Sequence, residues 1–174
     1  MIRAVVASTL GAGAVTLLPV AAGTAVVNGG SDTATASSHA LERPVLGAVI
    51  TQGFGCTAYQ AEPVDRACPG GHRHSGIDLA APMGTPVRSV SDGVAHVLAS
   101  TNGYGLHVIL DDGQGLSTLY AHLSAVTVAN DAGVSAGDVI GAVGSSGNSS
   151  GPHLHFEVRR DGLPEDPLLD VSLP

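Results

Sequence analysis

From residue 45 onward the chain alternates apolar and polar positions in short runs, broken by turn residues roughly every eight to twelve positions. "VAHVLAS" (94–100), "LHVILD" (106–111), "LSTLYAH" (116–122) and "VIGAVGS" (139–145) each read as a strand. "TNGYG" (101–105) and "DGQG" (112–115) lie between them and are natural hairpin connections. The run "GPHLHFEV" (151–158) adds a strand with Leu154, Phe156 and Val158 on one face and His153, His155 and Glu157 on the other. Outside the N-terminal stretch no window carries twelve residues of helical periodicity. The pattern predicts an all-β, mainly antiparallel sheet domain.

The first 27 residues do not follow this pattern. Arg3 precedes an uncharged stretch from Ala4 to Val27, with small residues such as Ala22 and Ala25 near its end. This has the form of a cleaved secretory signal, and it is also long enough to serve as an uncleaved membrane anchor. Either reading places the rest of the chain outside the cytoplasm. Residues 28–42 are small and polar without periodicity and read as a flexible linker, with His39 in solvent. The folded domain is expected over 43–174.

Composition narrows the function. The 174-residue chain is 44% hydrophobic and 13% charged, with 24 Gly and 10 Pro, enough for a core and many turns. A net charge of −8 and the absence of Trp argue against a nucleic-acid partner. All 7 basic residues are Arg, so the "VSAGDVIGAVGSSG" cadence, which is like that of lipoyl and biotinyl carriers, lacks the lysine such carriers modify. Cys56 and Cys68 bracket an irregular segment and fit a disulfide in an exported protein. The rival reading, a zinc pair, lacks CxxC spacing and further cysteines.

The candidate chemistry lies in the histidines. His74 and Asp78 in "HRHSGIDLAAP" are four apart, which on an extended segment keeps them on one face. Imidazole and carboxylate suit a divalent cation, and His155 or His153 can complete a two-histidine, one-carboxylate set with a position left for water. His122 in "LYAHLS" falls on the same side of the alternation as Thr118 and Tyr120, and a non-ligand imidazole there can move a proton or stabilise an oxyanion. Glu157 shares the face of His153 and His155 but is read as structural or at the rim. His72 and His96 read as surface residues, and His107 as either near the groove or on the surface. Gly76 suits a close backbone approach, and Gly84 a turn before Pro86.

Taken together, "HSGIDLAAPMGTPV", "YAHLS" and "VSAGDVIGAVGSSGNSSGPHLHFEV" resemble the lysostaphin-type (LytM-type) zinc endopeptidases of bacterial cell walls, over core motifs at 71–158. The resemblance implies one Zn2+ held by His74, Asp78 and His155, with His122 and His153 as the non-ligand catalytic pair. It implies peptidoglycan as substrate, with peptide bonds in stem peptides or cross-bridges cleaved. The alternative it carries is a catalytically silent activator of other wall hydrolases. All five key positions are present, which favours the enzyme.

Overall fold

Short turns dictate the architecture, because each strand must reverse within a few residues to return its apolar face to a common core. The computed structural model describes residues 43–170. The stretches read as signal or anchor (1–27) and linker (28–42), with His39, lie outside the described residues. In chain order the strands are β1 (Val49–Gln52), β2 (Gly55–Thr57), β3 (His72–His74), β4 (Ile77–Ala80), β5 (Pro86–Arg88), β6 (Gly93–Ala99) and β7 (Leu106–Asp111). They continue with β8 (Leu116–Ala121), β9 (Ala125–Val126), β10 (Ala132–Val134), β11 (Val139–Ala142), β12 (His153–Arg160) and β13 (Leu163–Glu165). A short 3-10 helix (Pro167–Leu169) follows. No helix among the described residues is long and apolar enough to cross a membrane.

The large sheet has 8 strands in the order β1-β4-β12-β8-β7-β6-β10, with β13 also paired to β12. A second sheet orders β5-β11-β9, and β2 pairs with β3. All the strand pairings are antiparallel. The hairpins expected at 101–105 and 112–115 join β6 to β7 and β7 to β8. The run at 139–145 is strand only to Ala142, and Gly144 pairs as an isolated bridge with His153.

The core lies where the two larger sheets meet. Ile77 and Leu79 of β4, Leu154, Phe156 and Val158 of β12, Tyr120 of β8 and Val108 and Leu110 of β7 join Val87 of β5 and Ile140 of β11 in one apolar cluster. Phe156 lies opposite Tyr120, with ring centroids 5.3 Å apart. Since paired residues share a face, Asp78, His153, His155 and Glu157 project from the other side of β4 and β12. Burying the apolar side of β12 therefore fixes where its histidines point.

That register corrects the sequence reading of His122. Thr118 and Tyr120 pair with Val158 and Phe156 and belong to the core side, with the Tyr120 hydroxyl accepting from Val90 N at 3.0 Å and Thr118 Oγ1 at 3.1 Å. Simple alternation would have sent His122 into the core with them. The chain leaves β8 at Ala121, and His122 takes φ 60°, a left-handed turn that redirects its ring.

Candidate active site

His74 and Asp78 do not share one strand, contrary to the reading of "HRHSGIDLAAP" as a single extended segment. His74 ends β3, whose partner is β2, while Asp78 is in β4 directly opposite His155. Ser75 and Gly76 make the crossing between the two sheets. A Cβ on Gly76 would lie 2.2 Å from the Phe156 carbonyl oxygen, so only glycine allows β12 to pass so closely.

The two segments nevertheless converge. His74 Nε2 lies 3.2 Å from Asp78 Oδ1 and 2.9 Å from His155 Nδ1, and Asp78 Oδ1 lies 3.0 Å from His155 Nδ1. His74 and His155 are buried and Asp78 is half-buried. These three residues form a group that could hold a metal ion. The donor set fits zinc: two nitrogens and one oxygen, with separations close to the about 3.3 Å edge of a tetrahedron with bonds of 2.0–2.1 Å.

Electrostatics point to a cation at this position. Burial disfavours a charged His155 ring, but hydrogen bonds to Asp78 and Glu157 outweigh it and lift the ring to about 9. Burial likewise raises Asp78, yet hydrogen bonds from His155 and His74 hold its carboxyl well below the usual range. Without metal, a proton on His155 supplies positive charge between two carboxylates.

Two further imidazoles face the same groove. The ring centroids of His122 and His153 are 4.8 Å apart, and His122 lies 5.9 Å from His155. Each is tied through Nδ1 to a backbone carbonyl: His122 to Ser146 and His153 to Gly151, both at 2.8 Å. A neutral ring donating from Nδ1 has its lone pair on Nε2. His153 Nε2 lies 3.7 Å from Asp78 Oδ1. Burial, with the His153 and His155 rings adding to it, pushes His122 down to about 4 against the opposing Ser146 hydrogen bond. His122 is therefore neutral at pH 7.

The groove has a volume of ≈ 640 Å3, with Tyr59, Glu62, Asn148 and Ser149 in its walls. Tyr59 and Glu62 belong to the loop closed by the Cys56–Cys68 disulfide, whose Cα atoms are 5.2 Å apart. Asn148 and Ser149 precede the β12 histidines, in the loop where β12 begins.

The remaining histidines separate clearly. His96 is half-buried, with its side chain turned to the surface beside Asp131 at 3.1 Å. His72 is only half-buried, with Nδ1 on the Glu62 carbonyl at 2.7 Å. His107 is a buried residue rather than a surface one, beside Tyr104 with ring centroids 5.5 Å apart. Of the two readings of Glu157, structural or at the rim, burial removes the rim: it is 0% exposed. It accepts hydrogen bonds from Ser75, Tyr104, His155 and Arg159. Its place in the alternation was the available signal, but neither Ser75 nor Tyr104 is near it in sequence.

Comparison with known proteins agrees with this geometry. The model of peptidase family M23 matches residues 72–167. The chain is 52% identical over 101 residues to the DD-carboxypeptidase/endopeptidase Mpg of Neisseria meningitidis serogroup B, covering 58% of this chain and 23% of that protein. It is 37% identical over 95 residues to the murein hydrolase activator EnvC of Escherichia coli, covering 55% of this chain and 23% of that protein. Among solved structures, the catalytic domain of the prophage-encoded M23 protein EnpA from Enterococcus faecalis, crystallised as a point mutant, superposes with a TM-score of 0.61. It is 33% identical, with 73% of this chain and 94% of that chain covered. The chain thus spans under a quarter of either full-length relative but nearly all of an isolated catalytic domain. With its antiparallel fold and its histidine-lined groove, this chain belongs to peptidase family M23, the lysostaphin/LytM-type peptidases.

Proposed function

We propose that this domain is an exported, zinc-dependent endopeptidase that cleaves peptide bonds in peptidoglycan stem peptides or cross-bridges. The observation that carries the proposal is the convergence of His74 Nε2, Asp78 Oδ1 and His155 Nδ1 beside two imidazoles that are not part of that trio. In this reading His74, Asp78 and His155 hold one zinc ion, and His122 and His153 act on the substrate. The peptidase domain takes up residues 43–174, and residues 1–27 direct export or tether the chain to the membrane.

The chemistry a bound zinc supplies at such a donor set is Lewis acidity toward a carbonyl oxygen and toward water. The chain's own residues do the rest. The Gly53 carbonyl accepts from His74 Nδ1 at 2.8 Å, leaving Nε2 free as a ligand. With Nδ1 turned to a backbone carbonyl, the Nε2 of His122 or His153 faces the groove and takes a proton from the attacking water. The ring so charged then donates that proton to the leaving amine, returning to its neutral form. Asp78 and the buried His155 keep the centre compact, while the open groove admits an extended peptide.

EnvC supports a second reading, in which the domain activates other wall hydrolases without turnover. The presence of all five candidate residues favours the peptidase. Purified protein incubated with peptidoglycan separates the two. New free amino groups that chelator abolishes and zinc restores are expected, and no release with any metal would support the activator. His155→Ala should lose zinc, whereas His122→Asn should keep stoichiometric zinc and lose most turnover. Full activity of His122→Asn would refute its catalytic role.

A further inference from the structure

The site histidines fall into two orientations. His74, His122 and His153 each tie Nδ1 to a backbone carbonyl, those of Gly53, Ser146 and Gly151, at 2.8 Å in every case. His155 is reversed: its Nδ1 faces Asp78 and His74, while Nε2 meets Glu157 Oε1 at 2.9 Å. His155 lies in the middle of a strand, where neighbouring carbonyls are engaged in ladders with β4 and β8. A side-chain acceptor is required instead, and Glu157, two residues along the same face, supplies it.

Glu157 is itself held from three directions. Oε1 accepts from Ser75 Oγ at 2.5 Å and from Tyr104 Oη at 2.6 Å, and Oε2 accepts from Arg159 Nε at 2.6 Å. Arg159 Nη2 also reaches Tyr104 Oη at 3.2 Å. Ser75 lies between His74 and Asp78, Tyr104 is on the hairpin joining β6 to β7, and Arg159 is on β12. The Tyr104 ring also lies 5.6 Å from the His155 ring, limiting its rotation. A buried carboxylate with this many donors has little freedom to turn away.

We propose that Glu157 is a positioning residue for the metal centre: held by Ser75, Tyr104 and Arg159, it accepts the His155 Nε2 proton and so commits Nδ1 to the metal. Carboxylate partners of this kind orient ligating histidines and raise their basicity. The proposal rests on the reading of His74, Asp78 and His155 as metal ligands. A purely structural Glu157–Arg159 pair would stabilise the fold without affecting zinc.

The test uses the full chain, freed of metal and titrated with zinc against a chromophoric chelator, for wild type, Glu157→Gln, Tyr104→Phe and Ser75→Ala. Glu157→Gln should weaken zinc binding by about 10- to 100-fold. Tyr104→Phe and Ser75→Ala each remove one donor and should weaken it by about 2- to 10-fold. Long-range proton–nitrogen correlation spectra of the zinc-loaded wild type should show the His155 proton on Nε2. Zinc affinities equal to wild type in the variants, or a His155 proton on Nδ1, would overturn the proposal. Should Glu157→Gln fail to fold, the other two variants decide by the same criterion. A wild type that binds no zinc would refute the metal site itself, an outcome distinct from parity among the variants.

Discussion

Acidifying the metal-free protein from pH 6.5 to 4.5 should expose the cost of keeping His122 neutral. The ring titrates at about 4 in the fold against an ordinary value of 6.5. Above 6.5 both folded and unfolded states leave it neutral. Below 6.5 the unfolded chain binds a proton that the native state refuses, so stability falls as the pH drops toward 4. Integrated over this window, the loss is about 2 kcal/mol, near the limiting slope of about 1.4 kcal/mol per pH unit for one proton. His155 adds little slope here, because its lifted value of about 9 leaves it protonated in the fold throughout; its contribution is nearly complete below 6.5 and is lost as pH rises from 6.5 through 9. Glu157 and Asp78, both lowered in the fold, destabilise mainly at and below their ordinary values of 4.5 and 3.8.

The assay is urea unfolding in chelator at both pH values, for wild type and His122→Asn. Asparagine tolerates the left-handed backbone that position 122 requires, so the variant removes the imidazole while retaining the turn. With a urea slope of about 2 kcal/mol/M, the wild-type midpoint should fall by about 1 M more than that of the variant. Parallel pH dependence in the two proteins would show that His122 is not held neutral by its surroundings.

Two further perturbations probe how the groove is held. A Cβ on Gly144 would lie 2.3 Å from Ser124 N and 2.6 Å from the His122 carbonyl oxygen, so Gly144→Ala must displace the backbone behind His122. It should cost about 1–3 kcal/mol in urea unfolding and reduce peptidoglycan cleavage with zinc content unchanged; wild-type cleavage would refute the coupling. Replacing Cys56 and Cys68 by serine opens a loop spanning a sequence separation of 12. On the chain-entropy account this costs roughly 3 kcal/mol, measured by the same unfolding experiment, and no loss would show that the unfolded chain is not constrained by the bridge.

The strands of the central meander were legible because half-buried strands carry a period of two. Leu106–Asp111 is a strand over the same residues that its alternation marks, and β8 differs by only one residue. The division of Leu154, Phe156 and Val158 from His153, His155 and Glu157 likewise survives, since β12 is covered by core on one side. The short strands β1 to β5, β9, β10 and β13 have two to four residues each, too few to set a period. Pairing with distant partners defines them, and no local pattern encodes that.

The amino-acid order by itself determined the β class, the hairpins, the family resemblance and the residue types offered to a metal. Tertiary structure alone decided their geometry. His122 reaches the groove through a positive φ that breaks the alternation, and His74 meets Asp78 across a change of sheet. Glu157 is buried because Ser75 and Tyr104, 82 and 53 residues away, close over it. Alternation is a local property, set by Cβ directions along one strand. Which nitrogen a histidine presents, and whether a carboxylate lies at a rim or in the interior, depends on donors that only the folded chain brings within hydrogen-bonding distance.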